Sequence, residues 1–447
     1  MPSPSPTPKA QAALGAAFLE KLAPADQELA FRMERDFAFS FQQLKLLGEW
    51  LLDAAAWDEP VFRASLDADL VAPLPGHARQ SGEFLFRRWQ EAYAALAARP
   101  KAYPADAPKE KLPAHRFTDK ELKGRIFRLC PAASERAVCC NLKVLNIVDN
   151  CAMACSYCVL QNHYDEAVVA VPTNLKAKLA EVELNPAKRY RIGTGEYSDS
   201  LLWGNKNGIL QDLCDFARAH PNAILELKTK SANIAWILEN DIPANVCCSW
   251  SLNPPAIVAN EEHKTASLER RLEAARAVAD KGVKVGFHFH PMMYFEGWEE
   301  AYRDLIARVT SMFRPAEVLW ISLGCVTLLK GFAQDFRLKY RHSKLLQMET
   351  ETTPDGKITY VFAVREQLYR NALEALAPWR GQVFQYLCME HKPMWDAVMG
   401  FAYASMGEFD DAFNASAFAK LPPADPQRAV EAASLSFNAA VSAPPIR

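Results

Sequence analysis

Apolar residues recur along this chain in two textures. From about Ala25 to Ala56, Leu29, Met33, Phe37, Phe41, Leu44, Leu47 and Leu51 return at three- to four-residue steps, the period of an amphipathic helix. A second helical stretch covers about Gly82 to Ala98, and Pro100, Pro104, Pro108 and Pro113 then punctuate a linker. After about Leu142 short apolar runs alternate with helical ones. Strands are predicted at Leu142–Val148, Tyr190–Gly193, Ile224–Thr229, Val246–Leu252, Val283–Phe289 and Val318–Leu323. Helices are predicted near 175–184, 207–219, 232–239, 268–281 and 298–313. In the fourth, Ser267 caps the start, Leu268, Leu272, Ala275 and Ala279 share a face, and Gly282 ends it. Strands joined by crossover helices give a right-handed parallel sheet. The fold class is α/β, a partial (β/α)6 TIM-like barrel, whose chemistry gathers at the C-terminal ends of the strands.

A different unit follows. Leu345–Thr350 and Lys357–Val364 flank Pro354-Asp355-Gly356, a β-hairpin signal, and a helix is predicted over about Arg365–Leu376. The expected organisation is a disordered tail (1–12), a helical N-terminal region (13–110), the barrel (111–330), a hairpin/helix extension (331–407) and an Ala/Pro-rich tail (408–447).

Composition narrows the class. The 447 residues are half apolar and 23% charged, with a net charge of −2, which excludes a wholly disordered chain. No apolar run is long enough to span a bilayer, and Met1–Pro8 lacks the basic and apolar stretches of a secretion signal. The expectation is a cytoplasmic protein without a membrane partner. Eleven cysteines in such a chain point to metal or redox chemistry rather than disulfides.

Cys151-Ala-Met-Ala-Cys155-Ser-Tyr-Cys158 directly follows the first barrel strand. Thiolates are soft ligands for iron–sulfur clusters or zinc. Three on one loop hold three corners of a cubane and leave the fourth iron open. The competing reading is a zinc site with His163 or Cys140 as fourth ligand. The CxxxCxxC spacing at this place resembles the radical S-adenosylmethionine (SAM) superfamily. That resemblance implies a [4Fe–4S] cluster that cleaves SAM to a 5′-deoxyadenosyl radical, fed by an electron donor such as flavodoxin or ferredoxin. Gly193-Thr194-Gly195-Glu196, at the end of the second strand, resembles the superfamily's Gly-Gly-Glu stretch, which receives the SAM amino group.

A closer resemblance is carried by Cys155-Ser-Tyr-Cys158-Val-Leu-Gln161, Glu196-Tyr-Ser-Asp199, Lys228-Thr-Lys230, Ser249-Trp-Ser-Leu-Asn-Pro254, Thr265-Ala-Ser-Leu-Glu269, Trp320-Ile-Ser-Leu-Gly324 and Tyr386-Leu-Cys-Met-Glu390. From about Cys130 to Gly400 the chain resembles the spore photoproduct lyase family. The resemblance implies action on a DNA lesion, a methylene-bridged thymine pair. The radical abstracts a hydrogen, the inter-base carbon–carbon bond breaks, and a cysteine thiol returns a hydrogen. It also implies that Cys151, Cys155 and Cys158 ligate the cluster. Gly195, Glu196, Ser198, Lys230 and Ser251 line the SAM site, and Tyr157 assists radical return.

Two positions depart from the family. Glu196 stands where the thiol donor is expected, and Val159 stands where a tyrosine is expected after the third cysteine. A carboxylate O–H is a poor hydrogen-atom donor. Cys325, just beyond the sixth strand, is therefore a candidate substitute, with Cys247 and Cys248 of the fourth strand behind it; only one of that pair can face inward. His288 and His290 share a face of the fifth strand. Arg337, Lys339 and Arg341 form the densest basic run, leading into the hairpin, and are the candidate DNA contacts. Two other readings stay open. One is radical chemistry on RNA, a nucleotide or a peptide; the other is a non-catalytic nucleic-acid-binding iron–sulfur protein.

Overall fold

Seven strands run parallel and neighbour one another in chain order: β1 (Lys143–Leu145), β2 (Tyr190–Gly193), β3 (Ala223–Thr229), β4 (Val246–Ser251), β5 (Lys284–Met292), β6 (Val318–Cys325) and β7 (Phe384–Leu387). Phe127–Leu129 adds an antiparallel edge beside β1. The computed structural model describes residues 8–74, 76–104, 114, 116–131, 133–158, 168–195, 198–329 and 331–422. The partial barrel is as expected, with one strand more. β7 escaped the sequence reading because Phe-Gln-Tyr-Leu is short and lies beyond the hairpin. It pairs with β6, Tyr386 opposite Ser322.

The sheet curls far enough for a β2 side chain to reach β7 across its interior. Arg191 of β2 donates from Nη1 to the Tyr386 hydroxyl of β7 at 2.8 Å. Its guanidinium lies 4.5 Å from the Trp320 ring centroid and 4.6 Å from that of Phe413. The same group binds Glu226 of β3 through Nε and Nη2, at 3.0 and 2.8 Å. A buried ion pair is stable when its remaining donors and acceptors are also satisfied. Here Ser249 and His288 fill the other carboxylate oxygen, each at 2.6 Å. Gly286 makes room for this layer, since a Cβ there would meet Trp320 Nε1 at 2.7 Å.

The outer helices match their predicted places: Leu175–Ala180, Ile209–Ala219, Ala235–Glu239, Leu268–Asp280 and Trp298–Met312. Ser267 Oγ accepts from Arg270 N at 3.3 Å, the cap expected from sequence. Among the described residues, no helix is long and apolar enough to cross a membrane.

The N-terminal region has its own core, containing Leu44, Leu47, Trp50, Trp57, Leu85 and Trp89. The single helix expected over 25–56 is two, Pro24–Phe37 and Phe41–Ala56. Ala38 turns left-handed (φ 55°), and Ser40 with Gln43 forms a capping box that starts the second helix. Two tail boundaries also move. Pro8–Leu14 is helical with Ala10 buried, and Met406–Phe418 is a helix whose Phe409 and Phe413 pack into the barrel core. Residues 423–447, the greater part of the expected C-terminal tail, lie outside the described residues.

Candidate functional site

The cysteine loop leaves the C-terminal end of β1 and is tied down from two sides. On one side Ser198 Oγ donates to the Asn150 carbonyl at 2.6 Å, and Asp149 exchanges two backbone hydrogen bonds with Ala170. On the other, Ser156 N donates to Glu261 O at 2.9 Å and Lys264 N to Met153 O at 3.1 Å. Asn150 and Ala154 adopt left-handed φ values of 66° and 50°, which bend the chain tightly between these ties.

The ties are themselves anchored. Glu261, buried, accepts from Ser156 Oγ, from Ser343 Oγ at 2.6 Å and from Tyr103 OH at 2.8 Å. Glu262 accepts from Tyr157 OH at 2.5 Å, from Asn253 Nδ2 at 3.0 Å and from Arg271. Burial works against the charge of Glu262, but Arg271 and then Lys230 bring its carboxyl down to about 2. Asp199, buried at the end of the β2 turn, accepts from Thr229 Oγ1 and from the backbone N–H groups of Lys230, Leu201 and Leu202.

These contacts locate the candidates that fall among the described residues. Tyr157 lies on Glu262, with the Lys230 ammonium 5.6 Å from its ring centroid. Lys230 thus stands beside the loop, where it also draws down the Cys155 thiol that burial pushes up to about 12. Ser198 holds the loop's entry. Gly195 is required by packing: a Cβ would meet the Lys228 carbonyl at 2.6 Å and Ser200 Oγ at 2.9 Å. Ser251 pairs with His288 in the β4–β5 register, on the face that carries Ser249 toward Glu226. Glu196, Val159 and His163 lie outside the described residues.

The donor set suits an iron–sulfur cluster. Cys151, Cys155 and Cys158 sit on one loop and lie within electrostatic reach of one another. Among the described residues no three His, Cys, Asp or Glu side chains close round a single metal ion. Cys140, weighed as a zinc ligand, instead contacts Cys139 and faces Arg191.

Two candidates are corrected. Cys325 is on the outward face of β6, because strand side chains alternate and Ser322 on the inward face meets His290 at 2.8 Å. The Cys325 backbone N–H donates to Tyr369 OH, and its thiol is buried among groups outside the barrel lumen. The basic run is also not a free phosphate-binding face. It begins in the last turn of the helix Phe332–Lys339, where Arg337 clasps Asp53 through Nε and Nη2 at 2.8 and 2.7 Å. Glu49 lies 3.3 Å from the same guanidinium, and Tyr93 OH donates to Asp53 at 2.6 Å. Arg341 donates to the Lys21 carbonyl at 3.0 Å, and the Lys339 ammonium lies 5.5 Å from the Tyr340 ring centroid. Arg337 and Arg341 fasten the N-terminal helices to the barrel extension.

His288 and His290 do face inward, with rings 5.5 Å apart. Burial, aided by Lys228, lowers His288 to about 4, and burial lowers His290 well below its usual range. Sequence reasoning missed the Arg191–Glu226–Tyr386 layer and the Glu261–Glu262 anchor. The adjacent carboxylates in a mostly apolar stretch were the available signal for the second.

Comparison with known proteins agrees with this fold. The family model for spore photoproduct lyase matches residues 141–361. The spore photoproduct lyase of Clostridium acetobutylicum is 27% identical over 179 residues, covering 39% of this chain and 53% of that protein. The chain thus spans about half the length of this curated relative. A solved spore photoproduct lyase complexed with dinucleoside spore photoproduct superposes with a TM-score of 0.54 at 19% identity, over 61% of this chain and 82% of that one. A mutant of the lyase with bound AdoMet and dinucleoside spore photoproduct gives 0.53 at 19% identity, with the same coverage. Residues 141–361 of this chain thus match the spore photoproduct lyase family model, and its fold is that of the solved spore photoproduct lyases.

Proposed function

We propose that this protein is a radical SAM enzyme that cleaves a carbon–carbon bond in a DNA lesion. Cys151, Cys155 and Cys158 would hold a [4Fe–4S] cluster. With SAM bound, that cluster supplies a 5′-deoxyadenosyl radical when reduced by a one-electron carrier of the flavodoxin or ferredoxin class. The observation that carries the reading is the cysteine loop itself. It is anchored from both sides at the C-terminal ends of the strands, where barrel chemistry collects.

The chain's own residues then have definite work. Ser198, Glu261 and Glu262 hold the loop in register. Lys230 sets a positive charge beside it, facing Tyr157. The buried Arg191–Glu226 ion pair, bonded to Tyr386 and to His288, ties β2, β3, β5 and β7 together inside the barrel.

The test is anaerobic. The cluster is reconstituted and reduced, SAM is added, and 5′-deoxyadenosine is assayed with and without dinucleoside spore photoproduct. SAM cleavage with restored thymines supports the reading. A second reading, the same radical chemistry on RNA, a nucleotide or a peptide, is favoured by the engagement of Arg337 and Arg341 with the N-terminal helices. SAM cleavage without thymine restoration selects it. No cleavage by a fully loaded cluster selects a non-catalytic nucleic-acid-binding protein.

A further inference from the structure

The lyase reading leaves one role without a residue, the donor that returns a hydrogen atom to the product radical. Glu196 occupies the position where the resembling family carries a thiol. An S–H bond is weaker than the C–H bond it would make, whereas a carboxylic O–H bond is not. The donor is therefore sought among the eight cysteines outside the cluster loop.

Most of them face elsewhere. Cys130 pairs through its backbone N–H with the Leu142 carbonyl, at the N-terminal end of β1. Cys214 and Cys248 neighbour each other, one on the outer helix Ile209–Ala219 and one on β4. Cys247 does share the inward face of β4 with Ser249, but it stands two residues nearer the N-terminal end of the strand, at the level of the Arg191–Glu226 ion pair. Cys325 points out of the barrel beside Tyr369.

Cys388 is placed differently. Leu387 pairs with Leu323 of β6, and the Cys388 N–H donates to the Leu323 carbonyl at 2.7 Å. Cys388 is the first residue past β7; continuing the strand's alternation puts it on the face of Tyr386, which lies within its electrostatic reach and which the bond from Arg191 shows to be the inward one. One step past Leu323 stands Gly324, and past it His290, whose Nε2 would lie 2.9 Å from a Cβ on Gly324. A thiol, a bare glycine and an imidazole thus share one rung at the C-terminal ends of β7, β6 and β5. The cluster loop leaves β1 at this same end of the sheet. Cys388 also has thiol company: Cys139, hydrogen-bonded to Cys140, lies within its electrostatic reach. That segment is held along β7's continuation by the bond from Val138 N to the Glu390 carbonyl, at 2.9 Å.

We propose that Cys388 is the hydrogen-atom donor, an assignment that rests on the lyase reading. The Cys388 S–H bond breaks, a C–H bond forms on the product, and one unpaired electron remains on the Cys388 sulfur. One electron and one proton restore the thiol. The electron comes from the one-electron carrier that reduces the cluster, and the proton comes from solvent.

The experiment uses the full chain. Reconstituted wild type, Cys388→Ala, Cys388→Ser and Cys325→Ala are compared in D2O with dinucleoside spore photoproduct. The expected wild-type product is thymine carrying solvent deuterium. In both Cys388 variants deuterated thymine falls by about tenfold or more while 5′-deoxyadenosine formation stays within about twofold, and Cys325→Ala behaves as wild type. Deuterated thymine at the wild-type rate from a Cys388 variant overturns the assignment but leaves the lyase reading standing. Wild type that cleaves SAM and restores no thymine overturns the lyase reading, and the assignment with it. A readout without turnover accompanies these. Mild diamide oxidation of the apoprotein, followed by peptide mapping, is expected to link Cys388 to Cys139 or Cys140. Cys388 left unlinked after such treatment overturns the placement, even if a variant fails to fold.

Discussion

Arg337→Met tests whether the basic run is a strut or a nucleic-acid contact. Arg337 and Asp53 are both largely buried and meet through two hydrogen bonds, at 2.8 and 2.7 Å. Burial opposes the charge on Arg337, but Asp53 more than offsets it and raises its pKa. Removing one partner strands the other: among the described residues Asp53 would keep the Tyr93 hydroxyl alone, in a place that water barely reaches. Breaking a buried pair in this way costs about 3–5 kcal/mol. The assay is urea unfolding followed by tryptophan fluorescence, since Trp50, Trp57 and Trp89 all lie in the N-terminal core. The expected result is early loss of the N-terminal transition, with part of the stability regained in the double variant Arg337→Met/Asp53→Leu, where no charge is left unpaired. An unfolding curve unchanged by Arg337→Met, together with weakened DNA binding, would refute the reasoning and return Arg337 to the role read from sequence.

Other outcomes follow from single contacts. Gly195→Ala should drive a methyl into the Lys228 carbonyl, cost about 1–3 kcal/mol and lower the iron content of reconstituted protein; unchanged iron loading would show that the turn relaxes freely. Alanine at Cys151, Cys155 or Cys158 should abolish the iron–sulfur absorption band, whereas Cys325→Ala should leave it intact, as read by ultraviolet–visible spectra. Hydrogen bonds from Arg276 and Arg314 bring Glu317 down to about 2. Its folded pKa lies below the unfolded value, so its contribution is present above about pH 4.3 and is lost as pH falls toward 2. Glu317→Gln should remove about 1 kcal/mol at pH 7 and flatten that acid limb in unfolding titrations, the small figure reflecting an exposed partner in Arg314.

Period and spacing alone located much of this protein. Six barrel strands and their helices follow from apolar runs of fixed length between turn residues, because local burial needs only local pattern. Cys151, Cys155 and Cys158 fall within eight residues and were legible from spacing, whereas Tyr157 and Ser198 were named only through the family resemblance. β7 was not, since a four-residue strand carries little pattern of its own and is defined by its pairing with β6.

Charge was misread for a related reason. A run such as Arg337 to Lys344 looks the same whether it faces phosphates or carboxylates, and only Asp53, 284 residues away in the chain, decides that Arg337 is a strut. The inward or outward aim of a cysteine is equally a matter of register. Cys325 and Cys388 each lie near the end of a strand, and the sheet turns one toward helix-borne tyrosines and the other into the lumen. Sequence by itself determined the element types, the sheet's handedness and the soft-ligand loop, all set by interactions between near neighbours. The tertiary structure alone decided which charges neutralise each other, which glycine admits a carbonyl and which thiol shares the lumen, because those depend on distances between residues that the chain keeps far apart.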